Sequence, residues 1–209
     1  MLSGELGVRF DGEGRPAVLQ APGWGPSAEY LRATLLPLIG GLRVLSYDVR
    51  NTGSAPRRPA PGSQATDLLV GDLRTIVQEQ GIGPFVLIGH SHGAFVAMGY
   101  AVRHPADVSA LLLLTPSLHE RGVTPGADEI LAVWERDPDR ADAVNWVRSQ
   151  PRHPRQMQHD RDLARWLRRG MAANFYDLEA MARFQSQLGG SPMPSIDALL
   201  AKRGFIPGR

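Results

Sequence analysis

Residues 85–103 read FVLIGHSHGAFVAMGYAVR, and this stretch limits what the chain can fold into more tightly than any other. Phe85–Ile88 is an unbroken apolar run of strand size. Ala94–Arg103 is helix-forming, with His104–Pro105 as its stop. Only Gly89-His90-Ser91-His92-Gly93 joins the two, so the chain must pass from strand to helix in one sharp turn. Such a turn strains the backbone at its central residue, Ser91, and lifts that side chain clear of the sheet edge. Glycine two residues before and two after lets the strand and helix backbones approach closely.

The rest of the first half repeats this alternation. Ala17–Gln20 is a short apolar run followed by APGWGPS, and Ser27 is placed to cap a helix from about Ala28 to Ile39 that Gly40–Gly41 ends. Leu42–Tyr47 reads as a buried strand, and DVRNTGSAPRRPAPGS as a turn-rich loop. Ser63 is placed to cap a second helix with Leu68, Leu69, Leu73, Ile76 and Val77 on one face and Gly81 at its close. Val108–Leu114 is a further strand. Strands with continuous apolar runs between helices predict an α/β fold, a parallel sheet with helices on both faces. Beyond Pro116 the rhythm changes. Asp128–Arg136, Arg140–Arg148, Arg161–Arg169 and Asp177–Leu188 read as helices, and they carry Trp134, Trp146 and Trp166. The expected organisation is a core over residues 1–117, a helical cap over 118–190, and a short helix with a Pro/Gly tail over 191–209.

Composition excludes several classes of function. The chain has no cysteine, so neither a disulfide framework nor a thiolate metal site is available. None of the six histidines stands at metal-ligand spacing with a carboxylate, which argues against a metal centre. The longest apolar run, Ala110–Leu114, is far short of the roughly 18–20 residues of a membrane span. The N-terminal residues show neither a basic region nor an apolar core, so the expected location is cytoplasmic. The sequence pI of 9.4 comes with a net charge of only +2. Arg148, Arg152, Arg155, Arg161, Arg165, Arg168 and Arg169 alternate with Asp160, Asp162 and Trp166. That pattern suits a solvated helical face better than a nucleic-acid track.

Strand, GHSHG and helix together form the context of a nucleophile turn. The partial positive charge of the following helix N-terminus lies where an oxyanion would develop. The stretch from about Val18 to Leu114 resembles the α/β-hydrolase superfamily, most of all its proline iminopeptidase-type branch. The resemblance rests on IGHSHGAFVAMGYAVRHP and on the loop YDVRNTGSAPRRP. That loop is similar to the family's D-x-R-G-x-G-x-S turn at Asp48, Arg50 and Gly53. Asn51 stands where glycine is usual, and asparagine tolerates the left-handed conformation best among the other residues. Ala55 replaces the usual serine, and the loop reads as a structural turn. The family's H-G-x-x-G loop corresponds to Pro22-Gly23-Trp24-Gly25-Pro26, with proline in place of histidine. The resemblance implies an acyl-enzyme on Ser91, oxyanion donors at the backbone N–H groups of Trp24 and His92, a small ester or amide as substrate, and no cofactor.

A serine hydroxyl needs a base, itself oriented by an acid. In the family these follow two further strands, and no run after Leu114 shows the V-x-G-x-x-D or G-H pattern that would carry them. The sheet is therefore expected to be incomplete at its C-terminal side and the activity weakened or lost. Two alternatives stay open, a hydrolase-like binding module without catalysis and an assembly protein. The strained turn should point His90 and His92 away from the serine oxygen. His119, after the last strand, is the best internal candidate base, although it also reads as an ordinary loop histidine; His153 and His159 read as solvent-facing. Val108–Leu114 would become an edge built for burial, to be covered by the cap helices, by Ser195–Ile206, or by a second copy in a homodimer.

Overall fold

A computed structural model of the protein describes residues 2–23, 27–58, 60, 62–116, 127–149 and 160–187. The chain divides into two compact units, one containing the described residues up to 116 and the other those from 127 to 187.

The first unit is built on five strands: β1 (Arg9–Asp11), β2 (Arg15–Gln20), β3 (Leu42–Ser46), β4 (Phe85–His90) and β5 (Val108–Leu114). They form one sheet in the order β1-β3-β2-β4-β5. β3, β2, β4 and β5 run parallel, as continuous apolar strands require when helices link them. β1 is the exception and pairs antiparallel with β3, Arg9 opposite Ser46 and Asp11 opposite Val44. Its three residues, RFD, are mostly exposed and carry no apolar run, which is why patterning misses it. The side chains around β1 hold it. The Arg43 guanidinium lies 4.3 Å from the Phe10 ring centroid. Arg32 donates to both carboxylate oxygens of Asp11, at 2.9 and 2.7 Å.

The helices of this unit are α1 (Leu2–Glu5), α2 (Glu29–Leu35), α3 (Thr66–Glu79) and α4 (His92–Arg103). α2 continues into a 3-10 turn, Leu36–Leu38, so the expected helix to Ile39 loses its last turn at the Pro37 step. Both serine caps are corrected. Ala28 and Ala65 occupy the cap positions of α2 and α3. The Ser27 hydroxyl accepts from the Glu29 amide at 3.3 Å, but from one residue ahead of the cap position. The Ser63 hydroxyl instead accepts from Asn51 Nδ2 at 3.3 Å and from the Ala60 amide at 3.2 Å. Of the predicted α3 face, Leu69, Leu73, Ile76 and Val77 are buried while Leu68 is exposed. The core comprises these buried residues with Leu19, Leu45, Phe85, Leu87, Ile88 and Tyr100. At the far side, Ser109 to Leu112 of β5 are all exposed, Leu111 at 39% and Leu112 at 44%. Since neighbouring residues of a strand face opposite ways, β5 of the single chain is open on both faces over these four residues.

The second unit is all helix among its described residues: α5 (Ala127–Trp134), α6 (Ala141–Ser149), α7 (Asp160–Gly170) and α8 (Leu178–Gln187). Its core gathers Ala143, Val144 and Ala173, with Leu131, Trp134, Val147 and Ala172 packed around them. Two of its arginines are held by neighbours on the same unit. Arg148 pairs with Glu135 at 2.7 Å, and the Arg169 guanidinium stacks 4.0 Å from the Trp146 ring centroid. The C-terminal helix expected within residues 191–209 lies outside the described residues.

Candidate functional site

Strand order places the site. From β2 the chain goes to β3 on one side, and from β4 to β5 on the other, so the connections diverge between β2 and β4. A crevice opens at such a divergence, at the C-terminal ends of the strands. Gln20 ends β2 directly opposite Gly89 in β4, which sets the loop after β2 beside the turn after β4.

Ser91 is the turn. It stands between His90, the last residue of β4, and His92, the first of α4, with φ 54° and ψ −121°. A positive φ is costly for a residue with a Cβ, on the order of 1–3 kcal/mol, and persists only where the surroundings enforce it. Here they do. The Ser91 amide donates to the Leu114 carbonyl at 2.9 Å, fastening the turn to the end of β5, and the Ala94 amide donates to the Ser91 carbonyl at 3.1 Å. The flanking glycines are required by contact. A Cβ on Gly89 would lie 2.6 Å from Ala94 Cα and from the Gly93 carbonyl oxygen. One on Gly93 would lie 2.3 Å from the Gln20 carbonyl oxygen.

The histidines beside the serine are both engaged elsewhere. Nδ1 of His92 accepts the Gly23 amide at 3.3 Å, and the His92 side chain is buried. Nδ1 of His90 lies 2.5 Å from the Tyr30 hydroxyl, with the two rings edge to face at 5.5 Å. Burial holds the His90 imidazole below its usual pKa and pushes the Tyr30 phenol up, favouring the neutral form of both. The His92 amide opens α4, at the positive end of the helix dipole. Trp24, with Gly25 and Pro26, lies outside the described residues, and so do His119, His153 and His159. His104 caps the opposite end of α4, roughly 20 Å along the helix axis from Ser91.

The loop after β3 is a structural turn. Asn51 has φ 62° and Gly53 φ 50°. The Asp48 carboxylate accepts from the Ala28 amide at 2.9 Å and from the Ser54 amide and hydroxyl, each at 2.8 Å. Arg50 donates to both oxygens of Asp72 in α3, at 2.7 and 2.5 Å. Beneath it the buried Tyr47 hydroxyl donates to Gln20 Oε1, and Gln64 Nε2 donates to the Arg50 carbonyl. Tyr30 was not legible in sequence as part of the site, because its partner is 60 residues away and no local spacing marks the pair. Among the described residues no group of histidines and carboxylates could hold a metal ion, and no helix is long and apolar enough to cross a membrane.

The model of the alpha/beta hydrolase fold family matches residues 16–183 of the chain. "Putative carbamate hydrolase RutD" of Klebsiella pneumoniae subsp. pneumoniae is 31% identical over 138 residues, 66% of this chain and 50% of that protein. An sn-1-specific diacylglycerol lipase of Mus musculus is 36% identical over 87 residues, 42% of this chain and 27% of the lipase. The chain spans about half the length of the carbamate hydrolase relatives it matches. Among solved structures, a proline iminopeptidase-related protein from Thermus thermophilus superimposes with a TM-score of 0.61 at 22% identity. That match covers 94% of this chain and 66% of the other. With most of its length matched by the family model, the chain belongs to the α/β-hydrolase fold family.

Proposed function

We propose that the protein is a serine hydrolase acting on a small ester or amide, with Ser91 as the nucleophile. The observation that carries this reading is the strained Ser91 backbone, φ 54° and ψ −121°, at the divergence between β2 and β4. Strain of this kind collects at functional sites, and a turn at this place would present the Oγ to a ligand in the crevice. Ser91 Oγ would attack the carbonyl carbon and pass its proton to a base. The leaving alcohol or amine would depart protonated, and water would hydrolyse the acyl-enzyme. The amide of His92 and, from its place in the loop, that of Trp24 would hold the oxyanion. Carbamates, the class in the name of the Klebsiella relative, fall within this substrate range. The second unit, helical among its described residues, would be the cap domain of this reading.

Among the described residues the histidines are engaged or distant. His90 and His92 have Nδ1 committed to Tyr30 and Gly23, and His104 is a helix length away. These commitments favour, as a second reading, a hydrolase-like binding module. A fluorophosphonate probe separates the two. If a base reaches Ser91, the wild type is labelled, Ser91→Ala abolishes the labelling, and His119→Ala reports whether that histidine supplies the base. Background labelling of the wild type favours the binding module, and labelling that survives Ser91→Ala excludes both.

A further inference from the structure

We propose that His90 and His92, the residues flanking Ser91, are positioning residues that hold Gly23, after β2, and Tyr30, in α2, against the serine turn. The proposal deepens the serine-hydrolase reading, on which its consequence for rate rests. Its structural core stands on the hydrogen bonds alone.

The chain leaving β2 is awkward to fix. Pro22 has no amide hydrogen and no polar side chain, so the first donor after Ala21 is the Gly23 amide. That amide donates to Nδ1 of His92 in a buried bond across 69 residues of sequence. Gly23 is also the residue that lets the contact form. A Cβ there would lie 3.2 Å from His92 Nδ1, 3.0 Å from Gln64 Oε1 and 2.5 Å from Leu69 Cδ1. At the other end Tyr30, in the first turn of α2, reaches Nδ1 of His90. Between them the Ala28 amide donates to Asp48 Oδ1. Gly23 and Tyr30 are thus tied to the two neighbours of Ser91, and Ala28 to the turn after β3.

This arrangement explains why both flanking residues are histidines. An imidazole Nδ1 close to its own backbone can accept from a neighbouring chain while the main chain of the same residue stays in the turn. The Gly23 amide can only donate, so Nδ1 of His92 is unprotonated and the proton of its neutral ring sits on Nε2. A displacement of Gly23 or Tyr30 would loosen the turn at Ser91, and catalysis at that serine depends steeply on its geometry.

The test uses the full chain and reads the anchors without chemistry. Amide hydrogen exchange is followed by NMR in the wild type, in His92→Phe, which fills the space without an acceptor, and in His92→Asn, whose Oδ1 falls near the place of Nδ1. Gly23 exchange should quicken about tenfold in His92→Phe and stay near wild type in His92→Asn. Tyr30→Phe should quicken exchange of the Leu31 amide, which donates to Ala28 at 3.0 Å in the first turn of α2. Unchanged Gly23 exchange in His92→Phe, or no rescue by His92→Asn, overturns the His92 anchor. Unchanged Leu31 exchange in Tyr30→Phe overturns the His90 anchor. If His92→Phe does not fold, His92→Ala takes its place beside His92→Asn. Fluorophosphonate labelling is measured on the same samples and should slow about tenfold wherever exchange quickens. A wild type that takes no probe overturns the serine-hydrolase reading, while the exchange data still decide the anchors.

Discussion

Gly93 and Gly71 both lie inside helices, and the chain around them gives them opposite roles. At Gly93 the helix start presses on β2, and an added Cβ would meet the Gln20 carbonyl oxygen at 2.3 Å and the Ala21 carbonyl oxygen at 2.7 Å. Both are backbone atoms at the end of a central strand and cannot swing aside. Gly93→Ala is expected to destabilise the protein by at least about 1–3 kcal/mol, the usual cost of overpacking a core. Gly71, on the exposed side of α3, has nothing within 4 Å of the added methyl. Gly71→Ala is expected to stabilise by about 0.5–1 kcal/mol, because alanine loses less backbone freedom on folding. Thermal unfolding of the two variants beside the wild type checks the pair. A Gly93→Ala protein as stable as the wild type would contradict the close approach of β2 and α4.

At the scale of elements, α2 owes its placement to a carboxylate from another part of the chain. Its cap position is Ala28, which has no side-chain acceptor, and the Ala28 amide is satisfied by Asp48 after β3. The same carboxylate gathers the amide and hydroxyl of Ser54, so one side chain closes the turn and orients the helix. Asp48→Ala strands these donors in a buried place. It should cost about 1–3 kcal/mol, read as a lower urea midpoint at unchanged m-value. Asp48→Asn, which retains one carbonyl oxygen, should lose less. If Asp48→Ala leaves the midpoint unmoved, water replaces the carboxylate and the turn does not depend on it.

For the whole molecule the decisive feature is β5. Its sequence, VSALLLL, has the composition of a central strand, and it carries no charge or proline to discourage pairing. Yet Ser109 to Leu112 are exposed on both faces. Fully burying a leucine contributes about 1.5–3 kcal/mol, which gives this edge a strong drive to find cover. We expect the isolated chain to pair with a second copy along β5 or to be sparingly soluble. Leu112→Lys should shift it toward monomer. Sedimentation velocity at tens of micromolar checks this. A stable monomer whose 110–114 amides resist hydrogen exchange would exclude the dimer.

How much of this was legible beforehand follows from the range of the forces involved. Four strands and the helices α2 to α8 could be read from apolar runs, because burial against a sheet or in a helical core stamps a local pattern on the sequence. The Ser91 turn was legible for the same reason. Its glycines are demanded by contacts among residues 89–94 as well as by β2, and the motif is compact. Asn51 in a left-handed turn was foreseeable from its own side chain. Tertiary structure alone decided the rest. β1 exists because β3 offers it an edge and Arg32 a partner, neither of which is local. Ser27 and Ser63 have the chemistry of caps, but their backbones stand one or more residues too early, and only the path of the chain fixes that. The engagement of His90 with Tyr30 and of His92 with Gly23 spans 60 and 69 residues. A hydrogen bond across such a distance leaves no periodicity behind it, because it depends on where two strands lie side by side and not on what either strand is made of.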